Sequence, residues 1–248
     1  MHWLESGTVE GEVRCRWGAT GRDGGVSVAP FDSLNLSLAV GDDDTAVVIN
    51  RTRTAAALNA RGIVGMRASH GAAVAVVDSA DRADAIDVDG LVTTVPGLAL
   101  LAMGADCVPA GVMDPVAGVV GVLHCGWRGL VVDIVGSTLD AMVRHGADLS
   151  RCTAVLGAAI CGECYPVPPS RADEVAAVDP ASRQTAEDGQ PCIDVGEAVA
   201  RRLHHEGLSV HRVNECTAQS TRCFSYRRDR RTGRQGLVVV MDAGVRNA

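Results

Sequence analysis

The hydrophobic positions change period along the chain, and the change separates strands from helices. In the middle, residues 72–77, 90–94, 98–103, 110–114 and 118–123 are short apolar runs rich in Val and Leu, punctuated by Gly, Pro and Asp. Runs of that length between such breakers predict strands. After Gly129 the period becomes helical. Leu130, Ile134, Thr138 and Met142 recur together, beside Val131, Val135, Leu139 and Val143. The spacing predicts one helix over 129–145, stopped by Gly146. An Asp cap followed by Ala46, Val47, Ile49 and the stretch from Ala55 to Leu58 predicts a helix over 44–60. Residues 153–156 read as another strand. Asp194 and Glu197 form a capping box that opens a helix to about Glu206, with Gly207 as its stop. Residues 208–213 and 237–241 read as the last strands. The first 50 residues look Gly-rich and irregular, with a tight turn at Arg22, Asp23, Gly24 and Gly25 leading into a strand at Val26 and Ser27.

Strands and helices are interspersed without a strict βαβ alternation, and no repeat, linker or low-complexity tract divides them. That favours α+β: a single domain over 1–248, with a mixed β-sheet core flanked by helices. Hydrophobic residues make up 47% of the chain, enough for a core, but aromatics only 3%, so Val, Ala and Leu must fill it. The net charge of −7 argues against a general nucleic-acid binder. No uncharged apolar run reaches the ~18 residues of a membrane helix. Nine cysteines, an odd number, and no basic-then-apolar leader pattern at the start suggest free thiols in a reducing cytoplasm.

One count narrows the chemistry further. All 23 basic residues are Arg. Schiff-base, pyridoxal phosphate and P-loop lysine chemistry are therefore excluded. A phosphate or carboxylate must be held by Arg, by backbone N–H groups or by a metal.

Three segments bring a soft ligand to a strand end: His70 before a strand, Cys107 after one, and His124 at the close of another. If those ends converge, two imidazoles and a thiolate suit a catalytic zinc with an open fourth position, which would lower the pKa of a water toward neutrality. The same residues suit a Cys–His dyad, with Cys107 as nucleophile and His124 or His70 as base. Spacing alone leaves both open. Cys161 and Cys164 have C-x-x-C spacing, but a second pair is missing and Cys152 and Cys192 are poorly placed, which favours a structural reading. His204 and His205 sit near a predicted helix C-terminus, where cationic His suits the dipole. The stretch 224–235 carries five arginines and reads either as a solvated loop or as an anion clamp.

Four ordered motifs now tie these residues together. The first runs Gly24-Gly25-Val26-Ser27, Pro30-Phe31-Asp32-Ser33-Leu34-Asn35-Leu36, Val40-Gly41-Asp42-Asp43 and Asn50-Arg51. The second is Ala105-Asp106-Cys107-Val108-Pro109, and the third His124-Cys125-Gly126-Trp127-Arg128-Gly129. The last is Cys216-Thr217 with Phe224-Ser225-Tyr226-Arg227-Arg228-Asp229 and Thr232-Gly233-Arg234-Gln235. Over nearly its whole length the chain resembles the YfiH-like, laccase-domain family, once labelled multicopper polyphenol oxidases and now described as purine nucleoside phosphorylases. It departs in three places: Ala68 replaces the usual Gln before His70, Cys125 replaces an Ala, and Pro166 replaces a Glu.

The resemblance implies an α+β fold related to cysteine hydrolases, and a Zn2+ ion on His70, Cys107 and His124, with copper possible there. It implies phosphorolysis of adenosine, inosine and methylthioadenosine, and deamination of adenosine. Motif membership and charge point to Asn35, Arg51, Arg128, Ser225, Arg227 and Arg228 as substrate and phosphate contacts. The partners are then purine nucleosides and phosphate, with no nucleic acid or membrane, in a cytoplasmic monomer or small homo-oligomer. A multicopper oxidase is rejected, because its trinuclear cluster needs H-x-H pairs and the chain has none. Two other readings stay open. One is an amide hydrolase editing nucleotide-linked muramyl precursors of peptidoglycan. The other is a non-enzymatic metal-binding protein linked to cell division.

Overall fold

The computed structural model describes residues 3–80 and 84–243. Its core is mixed β structure divided between two sheets. One has five strands, in the order Trp3–Val9, Cys15–Thr20, Gln235–Met241, Leu98–Gly104, Gly62–Val64. The other has six, in the order Ser209–Arg212, Thr153–Leu156, Val108–Asp114, Val119–Cys125, Gly90–Thr93, Val74–Val76. Pairing is antiparallel except for Gly62–Val64 in the first sheet and both edge strands of the second. This is an α+β fold.

The seven apolar residues of Leu98–Gly104 show why its run is continuous. The side-chain period of two sends Leu98, Leu100 and Ala102 into the core between the sheets, among Met113, Val120, Val122, Leu237 and Val239. It sends Ala99 and Leu101 to the outer face, where Leu34, Leu36 and Leu58 cover them. A strand buried on both faces has no polar alternation to show. The six-stranded sheet buries its other face under Ile134–Arg144, Pro169–Val178 and Val195–His205, through Val92, Val112 and Leu123.

The predicted strands between 72 and 123, at 153–156, at 208–213 and at 237–241 are present within a few residues of their expected bounds. Half of the capping box is present: Asp194 accepts from the Glu197 N–H and opens Val195–His205, but the Asp194 N–H donates to the Ser182 carbonyl and Glu197 pairs with Arg201 and Arg212. Three expectations are corrected. The helix over 129–145 is two, Trp127–Val131 and Ile134–Arg144, because Asp133 takes a left-handed conformation at φ +55° and caps the second by accepting from Gly136. The opening region contains two paired strands, and their glycines mislead. A Cβ on Gly7 would meet the Trp17 ring and one on Gly18 the Trp3 ring, so these glycines mark rings lying on backbone rather than turns. Conversely, no strand follows the turn at Arg22. That loop is held by the Asn50 side chain, which accepts from Val26 N–H and donates to Ser27, Ser33 and Asn35.

Candidate metal centre and anion cavity

The pleat that fills the core also aims the first ligand. Val120 and Val122 point between the sheets, and His124 continues their face at the strand's end. Its partner strand pairs Pro109 with His124 and Val108 with Cys125, so Cys107 falls just past the same edge. His70 arrives on a separate loop. One donor atom from each of the three lies within 4.8 Å of the other two. The His70 and His124 rings meet edge to face with centroids 4.8 Å apart, and His70 Nε2 is 4.0 Å from Cys107 Sγ.

Asp89 organises this meeting. It is fully buried and accepts from the Ser69, His70 and Gly71 N–H groups, the Ser69 hydroxyl and His124 Nδ1. A carboxylate only accepts, so His124 donates from Nδ1 and turns Nε2 to the centre. The same carboxylate holds His70 at φ +62°, a conformation disfavoured for a side-chain-bearing residue. Opposite, Asp106 sits at φ +106° and is equally over-determined. Its Oδ1 accepts from Thr217 and Ser225 hydroxyls at 2.7 Å each, and its Oδ2 from Arg227 N–H at 2.6 Å. That fixes Cys107 from behind.

The donor set fits a metal. Around a tetrahedral ion, His nitrogen and Cys sulfur sit roughly 3.5 Å apart, close to the 4.0 Å between His70 and Cys107. The space beside them is kept clear by Gly126, where a Cβ would lie 3.0 Å from Cys107 Sγ and 3.1 Å from His70 Cδ2. The electrostatics of the three residues by themselves are those of a thiolate–imidazolium pair, whose imidazolium proton a metal would displace. Burial opposes the Cys107 thiolate, yet the two facing imidazoles lower its pKa to about 6. Burial also opposes a charged His124, yet Cys107 and Asp89 raise it to about 9.

The centre opens into a cavity of about 880 Å³, within the range of small-molecule sites. Six arginines line it: Arg67, Arg128, Arg171, Arg227, Arg230 and Arg234. The lining acids are Asp87 and the already committed Asp106. An acidic protein thus concentrates positive charge at one concavity. Two guanidiniums lie against the Trp127 ring, Arg128 at 5.2 Å and Arg171 at 4.6 Å from its centre, and Arg227 lies over Tyr165 at 4.9 Å. These rings hold the arginines by cation–π attraction; the N–H edges of Arg128 and Arg171 remain available, while Arg227 spends Nη1 on the Pro166 carbonyl.

A family model described as multi-copper polyphenol oxidoreductase laccase matches residues 16–242. This chain belongs to that family. Within the laccase-domain family, a purine nucleoside phosphorylase of Streptomyces griseus is 46% identical over 228 residues, covering 90% of this chain and 93% of that one. Another, from Streptomyces coelicolor, is 45% identical and covers 95% and 98%. Among solved structures, YlmD of Geobacillus stearothermophilus superposes with a TM-score of 0.84 at 33% identity, covering 92% of each chain. YfiH of Bacillus licheniformis gives 0.84 at 31%, covering 91% and 92%.

Of the six residues expected to contact substrate or phosphate, the structure places Arg128 and Arg227 on the cavity wall. The other four are not on that wall and are held by partners within the protein. Asn35 is fully buried, accepting from Ser37 and Arg234 N–H and donating to Asp42. Arg51 is buried against Asp84 and the Leu36 carbonyl. Ser225 is spent on Asp106 and on capping Arg228 N–H. Arg228 donates to the carbonyls of Thr217, Ser220 and Cys223 and to Asp229. Four cavity or support residues were missed: Asp89, Arg67, Arg171 and Tyr165. Asp89, Arg67 and Arg171 are lone residues in unremarkable stretches, so only the folded chain reveals them; Tyr165 sits beside the Pro166 departure with no chemical signature of its own. No helix among the described residues is long and apolar enough to cross a membrane.

Proposed function

We propose that the protein is a zinc-dependent purine nucleoside phosphorylase, converting adenosine, inosine and methylthioadenosine with phosphate to free base and ribose 1-phosphate. The observation that carries this reading is one cavity shared by a His₂Cys centre and six arginines. The names of the full-length relatives add to it. A zinc ion on His70, Cys107 and His124 would supply Lewis acidity at an open coordination position.

The chain's own residues supply the rest. Arg128 and Arg227 hold phosphate in guanidinium forks, steadied by Trp127 and Tyr165, against a ribose C1′ that becomes cationic as the purine leaves. Asp89 fixes the tautomer of His124 and the backbone of His70. Asp106 is no free base, since both its oxygens are occupied; it orients Cys107 and the start of the Tyr226–Asp229 helix. Deamination of adenosine to inosine belongs to the same proposal, because the same centre faces the same cavity. Copper suits these donors too, but a laccase reaction does not fit a chain without an H-x-H pair.

The test is product analysis of adenosine turnover with and without phosphate. Adenine that forms only with phosphate supports phosphorolysis, and inosine formed without it supports deamination. Adenosine left intact by zinc-loaded protein in both conditions would overturn the reading.

One observation favours a second reading. The lowered Cys107 and raised His124 are what a thiolate–imidazolium pair requires. Such a pair suits attack on an amide, with the arginines holding the diphosphate of a nucleotide-linked muramyl precursor. Release of the amino acid from that amide, with adenosine untouched, would place this reading first.

A further inference from the structure

We infer that Cys161, Cys164 and Cys216 form a second metal site, a three-thiolate pocket for a soft cation, Cu+ or Zn2+, separate from the His₂Cys centre. The C-x-x-C pair lacks a second pair in sequence, but the fold supplies the missing donor. A parallel bridge between Ala159 and Cys216 brings the distant cysteine alongside, and the three sulfurs lie within 4.8 Å of one another. Thiolates about 2.3 Å from one ion in a trigonal plane stand roughly 4 Å apart. The observed spacing is therefore near what a shared ion requires. A disulfide, at about 2.05 Å, would join two sulfurs and strand the third.

The local backbone is built for thiolates. Cys161 caps the single 3-10 turn Gly162–Cys164, and its N–H donates to Cys216 Sγ at 3.4 Å. Burial opposes a Cys216 thiolate, but this N–H and those of Gln219 and Ala218 bring its pKa below the usual thiol value. Burial pushes Cys161 up to about 12 and raises Cys164, the penalty a bound cation removes. Gly162 permits the tight turn, since a Cβ there would strike Gln184 and Asp194. All three cysteines are half-exposed, so an ion can enter. Among the described residues no His or carboxylate joins the group. An all-sulfur, three-coordinate site suits soft cations and is unlike the mixed donors at His70, Cys107 and His124.

The ion would staple two walls of the substrate cavity. Ile160 and Tyr165, which flank the C-x-x-C pair, line the cavity. Thr217, next to Cys216, donates to the Asp106 carboxylate that orients Cys107.

The experiment loads reduced full-length protein with Zn2+ alone or Cu+ alone, then measures metal per chain and the ligand shell by X-ray absorption. Wild type should hold two equivalents of at least one of these ions. Cys107→Ser should lose the mixed shell and keep one ion in an all-sulfur shell. Cys161→Ser/Cys164→Ser should lose the all-sulfur shell and keep one ion with nitrogen and sulfur ligands. If the double variant does not fold, Cys164→Ser alone should weaken the all-sulfur site at least tenfold. The inference is overturned if Cys107→Ser binds neither ion in an all-sulfur shell. It is equally overturned if replacing Cys161 and Cys164 leaves the metal count unchanged.

Discussion

Arg228 spends its guanidinium on four backbone carbonyls and Asp229. Arg128 makes no side-chain hydrogen bond or ion pair among the described residues and lies 5.2 Å from the centre of the Trp127 ring. Both belong to motifs that resemble the family's, and both were expected to hold phosphate. Arg51 and Arg171 repeat the contrast: the first is buried on Asp84, the second rests on Trp127 with its donors unspent. Committed arginines tie loops together where unpaired carbonyls or carboxylates would otherwise be buried. Arg128 and Arg171 leave their donors unspent on the cavity wall, whereas Arg227 and Arg234 on the same wall also donate to the carbonyls of Pro166, Thr232 and Gly233. The split lies in the partners, not in the residue type or its motif.

The sharpest way to break the comparison is to remove a committed arginine. Arg51→Ala strands the Asp84 carboxylate, whose side chain is 5% exposed, and should cost about 3–5 kcal/mol in denaturant unfolding. Arg228→Ala should cost about 2–3 kcal/mol, less because water reaches part of that side chain. If either variant kept its stability and lost only phosphate affinity, the division would be wrong. Among acids, Asp89→Asn should lower zinc affinity about 10- to 100-fold in a chelator competition, because it loosens both His ligands.

The smallest expected effect is a pH effect. Burial opposes ionisation of Asp114, but N–H groups of Asp148, Ala117 and Val116 outweigh it and lower its pKa. A folded pKa below the unfolded one gives stability that is present above the unfolded value and lost as pH falls from there through the folded one. Asp114→Asn should therefore be less stable than wild type at neutral pH, with the gap closing as pH falls below about 4. A gap of constant size across that range would contradict the assignment.

What the sequence revealed follows the same division. Apolar runs and helical spacing marked most core elements, because burial on one or two faces leaves a period. His70, Cys107 and His124 stood out because each sits at a strand end inside a recognisable motif. Asp89 did not, since one carboxylate before a glycine has no signature, and its role comes from a loop 18–20 residues away folding back onto it. Asn35, Ser225 and Arg228 were legible as motif members but not as structural ones. A motif records that a residue matters to the fold and its site without recording to which. Cys216 joined Cys161 and Cys164 only through a bridge between segments far apart in the chain.

The most direct test is the phosphate saturation of adenosine cleavage by Arg128→Ala against wild type, with unfolding of both measured alongside. An uncommitted arginine that holds phosphate should raise the KM for phosphate about 100-fold when removed, the worth of one or two charge-assisted hydrogen bonds. The KM for adenosine and the midpoint of unfolding should stay near those of wild type. An unchanged phosphate KM, or a variant that simply unfolds, would show that Arg128 is not free to bind the anion and would contradict the account.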